Sequence, residues 1–311
     1  MPTRPEEAAL SVAAANAHPW RGYFLVAGAT FCWAAAATLS KVVFNGKILT
    51  GPAISPLFLT QARTTFTVLL LAAFLLVRFG RSLFTISRRD LALCALAGTL
   101  GTAGSNFFYY YAVQAATVAI AVTLQYTAPV WVLLYMVSRR REEPTLSRAG
   151  AVALSLAGIV MTVGPFQSQG RSMLVGAGAG LVASFCFAFY TIVAPGLVHR
   201  NHPLKVMFYA LVSAALLWTL LDPPWRVLAA HYSASQWEFL FLFACVSMLL
   251  PYIFFFHGLK YLDPTRAVIA SCLEPVFAVL LAAVFAGEIV RGLQVAGILG
   301  VLLATVMAQR R

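Results

Sequence analysis

Acidic side chains are scarce in this chain, since only 10 of its 311 residues are Asp or Glu. Charged residues of both signs make up 10% of the sequence, whereas ordinary soluble domains carry roughly 25%. Hydrophobic residues make up 61% of the chain, and most charges fall in short segments between long apolar runs. A soluble fold of this length would need far more polar surface. The composition therefore predicts an all-α integral membrane protein that contacts the lipid bilayer.

Sequence motifs for metal or nucleotide chemistry are also missing. The five cysteines all lie inside apolar runs, and none forms a CxxC pair or a Cys/His cluster. We therefore expect small buried thiols and no bound metal. The sequence has no GxxxxGK(S/T) loop and no HExxH or DxxD cluster, so we expect no cofactor and no enzymatic activity. The formal net charge of +12 comes from basic residues in loops, which indicates orientation in a bilayer and argues against nucleic-acid binding.

Ten apolar runs are long enough to cross a bilayer, because about 20 helical residues span its hydrocarbon core. We place them at residues 22–44, 55–77, 91–111, 115–137, 149–166, 174–197, 204–221, 239–259, 265–286 and 289–309. Small residues recur every four positions in the fifth run (Ala149, Ala153, Ala157) and the tenth (Gly292, Ala296, Gly300, Ala304). Such stripes allow close approach of helices in membranes and predict that these two helices pack together.

The basic residues predict the orientation of the chain. With the N-terminus placed inside, sixteen of the 22 Lys and Arg residues fall in inside segments and five in outside segments, while Arg63 lies within a span. Cytoplasmic loops carry such an excess of positive charge. We therefore expect a multi-pass protein of the inner (plasma) membrane. The sequence does not show the oligomeric state, and a monomer is the working expectation. Both termini, including an N-terminal tail of residues 1–21, would lie in the cytoplasm.

The two halves of the chain resemble each other. At an offset of 146 residues, Ala121-Val122 aligns with Ala267-Val268, and Pro129-Val130 aligns with Pro275-Val276. We infer two homologous repeats, residues 22–166 and residues 174–309, with five helices each. Because five is an odd number, the repeats would be inverted relative to each other in the membrane. In secondary transporters, inverted repeats enclose a substrate site near the midplane.

These features together resemble the drug/metabolite transporter superfamily with two EamA-type repeats. The matching residues are Trp33, Arg63, the Ala112-Val-Gln to Pro129-Val-Trp stretch, and the stretch from Gly258-Leu-Lys through Leu-Glu-Pro-Val-Phe-Ala to Gly287-Glu288. The resemblance covers roughly residues 22–309. It implies transport of small metabolites, and export coupled to proton entry is frequent among bacterial relatives.

Glu274 is a candidate proton carrier, because it is the only acidic residue in the middle of an apolar run. It lies about ten residues into the ninth run, roughly 15 Å from the end of that helix. Desolvation at this depth penalises the carboxylate, which suits a group that gains and loses a proton. The alternative is a neutral side chain that is hydrogen-bonded to a neighbouring helix. The equivalent residue of the first repeat is Ala128, so any acid chemistry would be one-sided.

Arg63 is the second ionisable candidate, at roughly 10 Å from the outer end of the second run. Its guanidinium either binds an anionic group such as a carboxylate or anchors a loop or a backbone carbonyl. The other candidates are aromatic and amide side chains that either line a central cavity or pack between helices. They are Trp33, Asn106, Tyr109, Tyr110, Gln125, Tyr126, Phe187, Tyr190 and Tyr252.

The sequence favours a secondary transporter that exports a small metabolite, with an amino acid or a related compound first, by alternating access. Proton coupling through Glu274 is part of this hypothesis. Efflux of drugs or other metabolites, including nucleotide-sugar-like substrates, is the alternative. An integral membrane enzyme, a channel and a receptor are remote alternatives, because the motifs and charged rings that they need are missing.

Overall fold

A computed structural model describes residues 19–44, 51–116, 118–143, 145–163, 171–286 and 292–307. Most of the predicted N-terminal tail, Gly287-Glu288 and the last four residues lie outside this part of the chain. The helices are α1 (Pro19–Phe44), α2 (Pro56–Phe79), α3 (Arg88–Ala115), α4 (Val118–Gln125), α5 (Ala128–Ser138), α6 (Leu146–Val163), α7 (Arg171–Arg200), α8 (Pro203–Leu221), α9 (Pro224–Ala229), α10 (Ala234–Gly258), α11 (Pro264–Ser271), α12 (Leu273–Ala286) and α13 (Gly292–Met307).

The prediction of an all-α membrane protein is confirmed. Within the described ranges no residue is in a strand, and seven helical segments are long and apolar enough to cross a membrane. In this count α4 and α5 form one segment, as do α11 and α12, and α6 and α13 are shorter apolar helices. A bilayer offers no hydrogen-bonding partners, so a chain of this composition satisfies its backbone groups within helices.

Polar residues fix the starts of several helices. The Ser55 side chain accepts a hydrogen bond from the Phe58 amide at 3.1 Å. The Asp263 carboxylate does the same for the Arg266 amide at 2.8 Å. Both caps are followed by a proline in the first turn, where its missing N–H costs nothing. The helix boundaries near the loops thus follow from local sequence.

Helix packing follows the same pattern in both halves of the chain. The first helix, α1, packs against α10 and against α11 and α12. In the second half α7 packs in the same way against α3 and against α4 and α5. Each helix therefore contacts mainly the opposite half, as a duplicated chain with intertwined halves would.

The predicted pairing of the fifth and tenth runs is confirmed, because α6 and α13 pack closely against each other. A Cβ atom added at Gly158 would lie 2.8 Å from the carbonyl oxygen of Gly297. Because glycine has only a hydrogen atom as its side chain, the two backbones can come into contact here. Such close contact between small residues stabilises helix pairs in lipid.

One end of the bundle, called here the basic end, is formed by segments 78–90, 139–148, 199–205 and 260–266. Asp90 of α3 accepts hydrogen bonds from Arg200 at 2.7 Å and from Asn201 at 3.0 Å, which ties α3 to the end of α7. Lys205 donates to the backbone oxygen of Ser82. The distribution of Lys and Arg predicts that this end is cytoplasmic.

We expect Gly98→Ala to destabilise the packing of α3 against α8. A Cβ atom at Gly98 would lie 1.9 Å from the backbone oxygen of Ala210 and 2.1 Å from the Ser213 hydroxyl. Overpacking of this kind costs about 1–3 kcal/mol. Thermal unfolding of the purified protein in detergent measures the effect. The matched control is Gly178→Ala in α7, where an added Cβ meets no atom within 4 Å, and equal melting temperatures for both variants would contradict this packing.

Candidate substrate cavity

Two helix interruptions lie at equivalent positions of the repeats. The chain leaves helical geometry between α4 and α5 at Tyr126-Thr127, and between α11 and α12 at Cys272, which is 146 residues after Tyr126. Pro129 and Pro275 follow at corresponding places. A proline has no N–H, and its ring clashes with the carbonyl four residues earlier. The interruption one turn before each proline is therefore encoded in the sequence.

Two further irregularities lie beside these interruptions. Helix α3 contains a π-helical segment at Ala97–Ala103, and α10 contains one at Cys245–Leu249. The two segments overlap when they are aligned at the same offset of 146. Each changes the direction in which the following side chains point, and such segments are frequent at functional sites. The side chains that follow include Asn106 in α3 and Tyr252 in α10.

A central cavity of about 40 Å³ lies beside the two helix interruptions, and residues that closely follow each π-helical segment also line it. It is lined by Trp33, Arg63, Ser105, Asn106, Tyr109, Tyr110, Gln125, Tyr126, Phe187, Tyr190, Tyr252 and Glu274. The structure thus brings all eleven sequence candidates to one place. Ser105 was missed, and only its position beside Asn106 could have pointed to it. This volume holds about three water molecules, so a larger solute requires the cavity to open.

Arg63 is held by neutral partners. One guanidinium nitrogen donates to the Tyr110 hydroxyl and another to the Asn106 side-chain oxygen. The side chain is only 2% exposed, and its Nε–H has no hydrogen-bond partner among the described residues. In the same part of the chain, no carboxylate lies within ion-pair distance of Arg63. A buried cation without a counter-ion is costly, so Arg63 is well suited to bind an anionic group.

Asn106 joins Arg63 to the opposite repeat. Its amide nitrogen donates to the Tyr252 hydroxyl at 2.8 Å and to the Thr102 backbone oxygen at 2.6 Å. Asn106 and Tyr252 are equivalent residues of the two repeats, so this hydrogen bond connects the same position in both halves. The network fixes the direction of the Asn106 oxygen and hence the position of the guanidinium.

Glu274 provides the opposite charge of the cavity. It lies in the first turn of α12, is 8% exposed, and accepts a hydrogen bond from the Tyr126 hydroxyl at 2.6 Å. This contact crosses from one interrupted helix to the other. Glu274 and Arg63 line one cavity but do not form an ion pair within 4.0 Å. A carboxyl group and a guanidinium thus both face a small, water-sized space.

Aromatic rings close the sides of the cavity. The Trp33 ring packs against Tyr252 at 5.8 Å and Phe255 at 5.5 Å between centroids. The Phe187 ring contacts Tyr190 at 5.2 Å and Tyr126 at 6.2 Å. These rings form the aromatic part of the cavity lining around Arg63 and Glu274. Among the described residues, no three His, Cys, Asp or Glu side chains come together as a metal site would require.

The profile of the EamA-like transporter family matches residues 20–164 and again residues 174–309. The chain belongs to this family. Each match covers one of the two predicted repeats, and the family consists of transporters, so this chain is a small-molecule transporter of the membrane and not an enzyme.

Relatives of this EamA-like transporter are also named as transporters. An uncharacterized transporter of Archaeoglobus fulgidus is 29% identical over 66% of this chain and 75% of its own length. The threonine/homoserine exporter RhtA of Salmonella typhimurium (strain SL1344) is 27% identical over 66% of this chain and 67% of its own length. A crystal structure with 19% identity superposes with a TM-score of 0.70 over 95% of this chain and 96% of the other, which shows a shared fold.

We expect the adjacent tyrosines of the EamA-like cavity to differ in their contribution to stability. Tyr110→Phe removes the acceptor of a buried Arg63 donor, and an unpaired buried group costs about 1–3 kcal/mol. Tyr109→Phe removes a hydroxyl that has no hydrogen-bond partner among the described residues, so it should leave stability unchanged. Melting temperatures in detergent compare the two variants. A lower value for Tyr109→Phe than for Tyr110→Phe would contradict the Arg63 network.

Proposed function

We propose that this transporter exports a zwitterionic amino acid or a related compound across the inner membrane. The observation that carries the proposal is that a basic and an acidic side chain, Arg63 and Glu274, line one cavity and form no ion pair within 4.0 Å. The guanidinium would bind the carboxylate of the solute, and Glu274 would bind its ammonium group. The Tyr109 hydroxyl, which has no hydrogen-bond partner among the described residues, supplies a further donor in the same cavity as Arg63. The named activity of RhtA, an exporter of threonine and homoserine, supports this substrate class.

Alternating access fits the architecture that we propose, ten membrane helices in two inverted five-helix repeats. Equivalent packing of α1 and α7, and equivalent interruptions before Pro129 and Pro275, support the duplicated arrangement. The cavity of about 40 Å³ is smaller than an amino acid, so the solute is admitted only when one side opens. Movement of one set of helices against the other would expose the cavity to each side in turn. The basic end would face the cytoplasm.

Proton coupling follows from competition at Glu274. An ionised carboxylate attracts the ammonium group of the solute, whereas a protonated carboxyl does not. A proton that reaches Glu274 from outside would therefore favour release of the solute there. The Tyr126 hydroxyl donates a hydrogen bond to this carboxyl group at 2.6 Å, which fixes its position in the cavity. The result would be exchange of a proton for an amino acid.

Larger or more highly charged substrates fit this cavity less well. Efflux of bulky drugs would require much more space than the cavity provides. Nucleotide sugars carry a diphosphate, which needs several cations, and Arg63 is the only Lys or Arg among the residues that line the cavity. Both remain alternatives that the following transport assay separates from amino-acid export.

We expect proteoliposomes to take up labelled L-threonine or another small amino acid, and an opposing proton gradient to accelerate transport. Glu274→Gln should remove the dependence on the proton gradient, because the amide cannot be protonated in this pH range. The exposed Glu238→Gln in α10 is a matched control with the same chemical change far from the cavity. Unchanged pH dependence in Glu274→Gln would exclude the coupling role, and transport of no amino acid would exclude the proposed function.

We expect Arg63→Gln to lose affinity for the carboxylate of the solute. A hydrogen bond to a charged group is worth about 1.5–3 kcal/mol, so the KM for the amino acid should rise roughly 10- to 100-fold. Competition by the amino-acid amide, which lacks the carboxylate, should change little. If Arg63→Gln discriminates between the acid and its amide as strongly as the native protein, Arg63 does not bind the carboxylate.

A further inference from the structure

A second, larger cavity lies at the basic end, between the α5–α6 loop, the end of α7 and the start of α11. Its volume is about 450 Å³, which is within the range of small-molecule sites. Side chains from both repeats line this space, called here the basic-end cleft. The charged and titratable ones are Arg141, Glu142, Arg148, His199, Asp263 and Arg266. Neither the proposed proton coupling nor the central cavity uses them.

Glu142 is the unusual group of the cleft. Its side chain is 5% exposed and lies 3.1 Å from Arg148. Neither carboxyl oxygen is in a well-aligned hydrogen bond with a described residue. Burial raises the pKa of the Glu142 carboxyl and the nearby Asp263 carboxylate adds to this, while the Thr265 hydroxyl, Arg148 and Arg266 offset it in part. An ammonium group that donated well-aligned hydrogen bonds to this carboxyl would favour its ionised form.

The three arginines of the cleft differ in their ion-pair partners. Arg266 is 7% exposed and forms an ion pair with Asp263 at 3.2 Å, while Arg148 is engaged by Glu142. Arg141 is exposed and has no ion-pair partner within the described ranges; its guanidinium lies over the Tyr135 ring at 6.0 Å from the ring centroid. The cleft thus offers an available guanidinium next to an incompletely satisfied carboxyl.

The loop that carries these two residues is fixed by backbone hydrogen bonds. The Arg140 amide donates to the Val137 oxygen, and the Arg141 amide donates to the Met136 oxygen, both at 2.9 Å. Arg140 has a φ of 52°, as the residue after a helix has in a Schellman motif. The side chains of Arg141 and Glu142 therefore leave a defined position on the same loop.

The basic-end cleft and the central cavity are lined by successive parts of the same helices. Tyr190 of α7 lines the central cavity, and His199 of the same helix lines the cleft, roughly 13 Å away along the helix axis. The interrupted helices α5 and α11 likewise reach from one space to the other: Met136 lines the cleft ten residues after Tyr126. A solute that entered at the basic end would reach the cleft first.

We propose that the basic-end cleft is a recruitment site for the transported zwitterion, in which Glu142 binds the ammonium group and Arg141 the carboxylate. This inference rests on the proposed function, since the solute is the same. The cleft repeats the charge pattern of the central cavity with different residues. It would hold the solute in the cytoplasmic opening before the helices around Glu274 admit it.

Cysteine labelling at Gly196 tests the recruitment site. Gly196 lines the cleft, and an added Cβ would meet only Arg200 at 3.7 Å, so Gly196→Cys fits without strain. In nanodiscs, a charged, membrane-impermeant methanethiosulfonate should modify this thiol, and L-threonine should slow the modification several-fold. Threonine amide and N-acetylthreonine, which each lack one of the two charges, should protect less. None of the five native cysteines lines the cleft, and the parent protein measures their background.

Two substitutions complete the test. Arg141→Gln or Glu142→Gln should abolish the protection by L-threonine, whereas Arg63→Gln should keep it although transport is impaired. Protection that persists in both loop variants, or no protection at concentrations that saturate transport, would overturn the recruitment site. A Gly196→Cys thiol that is protected in nanodiscs without solute but reactive in detergent would show a lipid headgroup in the cleft and would also overturn it. Protection without transport of any amino acid would refute the proposed function while leaving the site.

Discussion

Backbone groups inside a bilayer find no water, and the fold of this protein depends on that constraint. Each hydrogen bond that a helix gives up must be replaced within the protein. The chain nevertheless interrupts α4–α5 and α11–α12 and carries π-helical segments in α3 and α10. Tyr126 and Glu274, at or just after the two interruptions, line the central cavity, as do Asn106 and Tyr252, which follow the two π-helical segments. The departures from regular helix are therefore found in the segments that supply the polar side chains of the cavity.

The chemistry of the cavity follows from the same constraint. A guanidinium that is 2% exposed needs hydrogen-bond acceptors, and Tyr110 and Asn106 provide neutral ones. This neutral pair accepts hydrogen bonds from two guanidinium nitrogens without cancelling the charge. The Glu274 carboxyl also has a neutral partner, because it accepts a hydrogen bond from the Tyr126 hydroxyl. If Arg63 and Glu274 were paired directly, the cavity would have little net attraction for a zwitterion; their separation keeps both charges available.

Much of the cavity could be predicted from the sequence, because polar residues are so rare in the apolar runs that their presence is informative. Glu274, Arg63 and Asn106 stand out for this reason. The π-helical segments were not predicted: Ala97–Ala103 contains two glycines and two threonines, which weaken a helix, but nothing in this composition specifies a π turn. The basic-end cleft was also missed: in sequence, Arg141 and Glu142 belong to a loop rich in charge, and only the folded chain shows that Glu142 is buried.

The hydrogen bond between Asn106 and Tyr252 has a consequence for the origin of the protein. In the proposed duplicated architecture, both residues occupy the position closest to the two-fold axis that relates the halves. In an ancestral pair of separate five-helix chains, one residue type would have met its own copy there. After fusion into one chain, the two positions could differ in sequence. One copy could then become Asn106 and the other Tyr252. Lineages that never fused should still carry a self-complementary residue at this position.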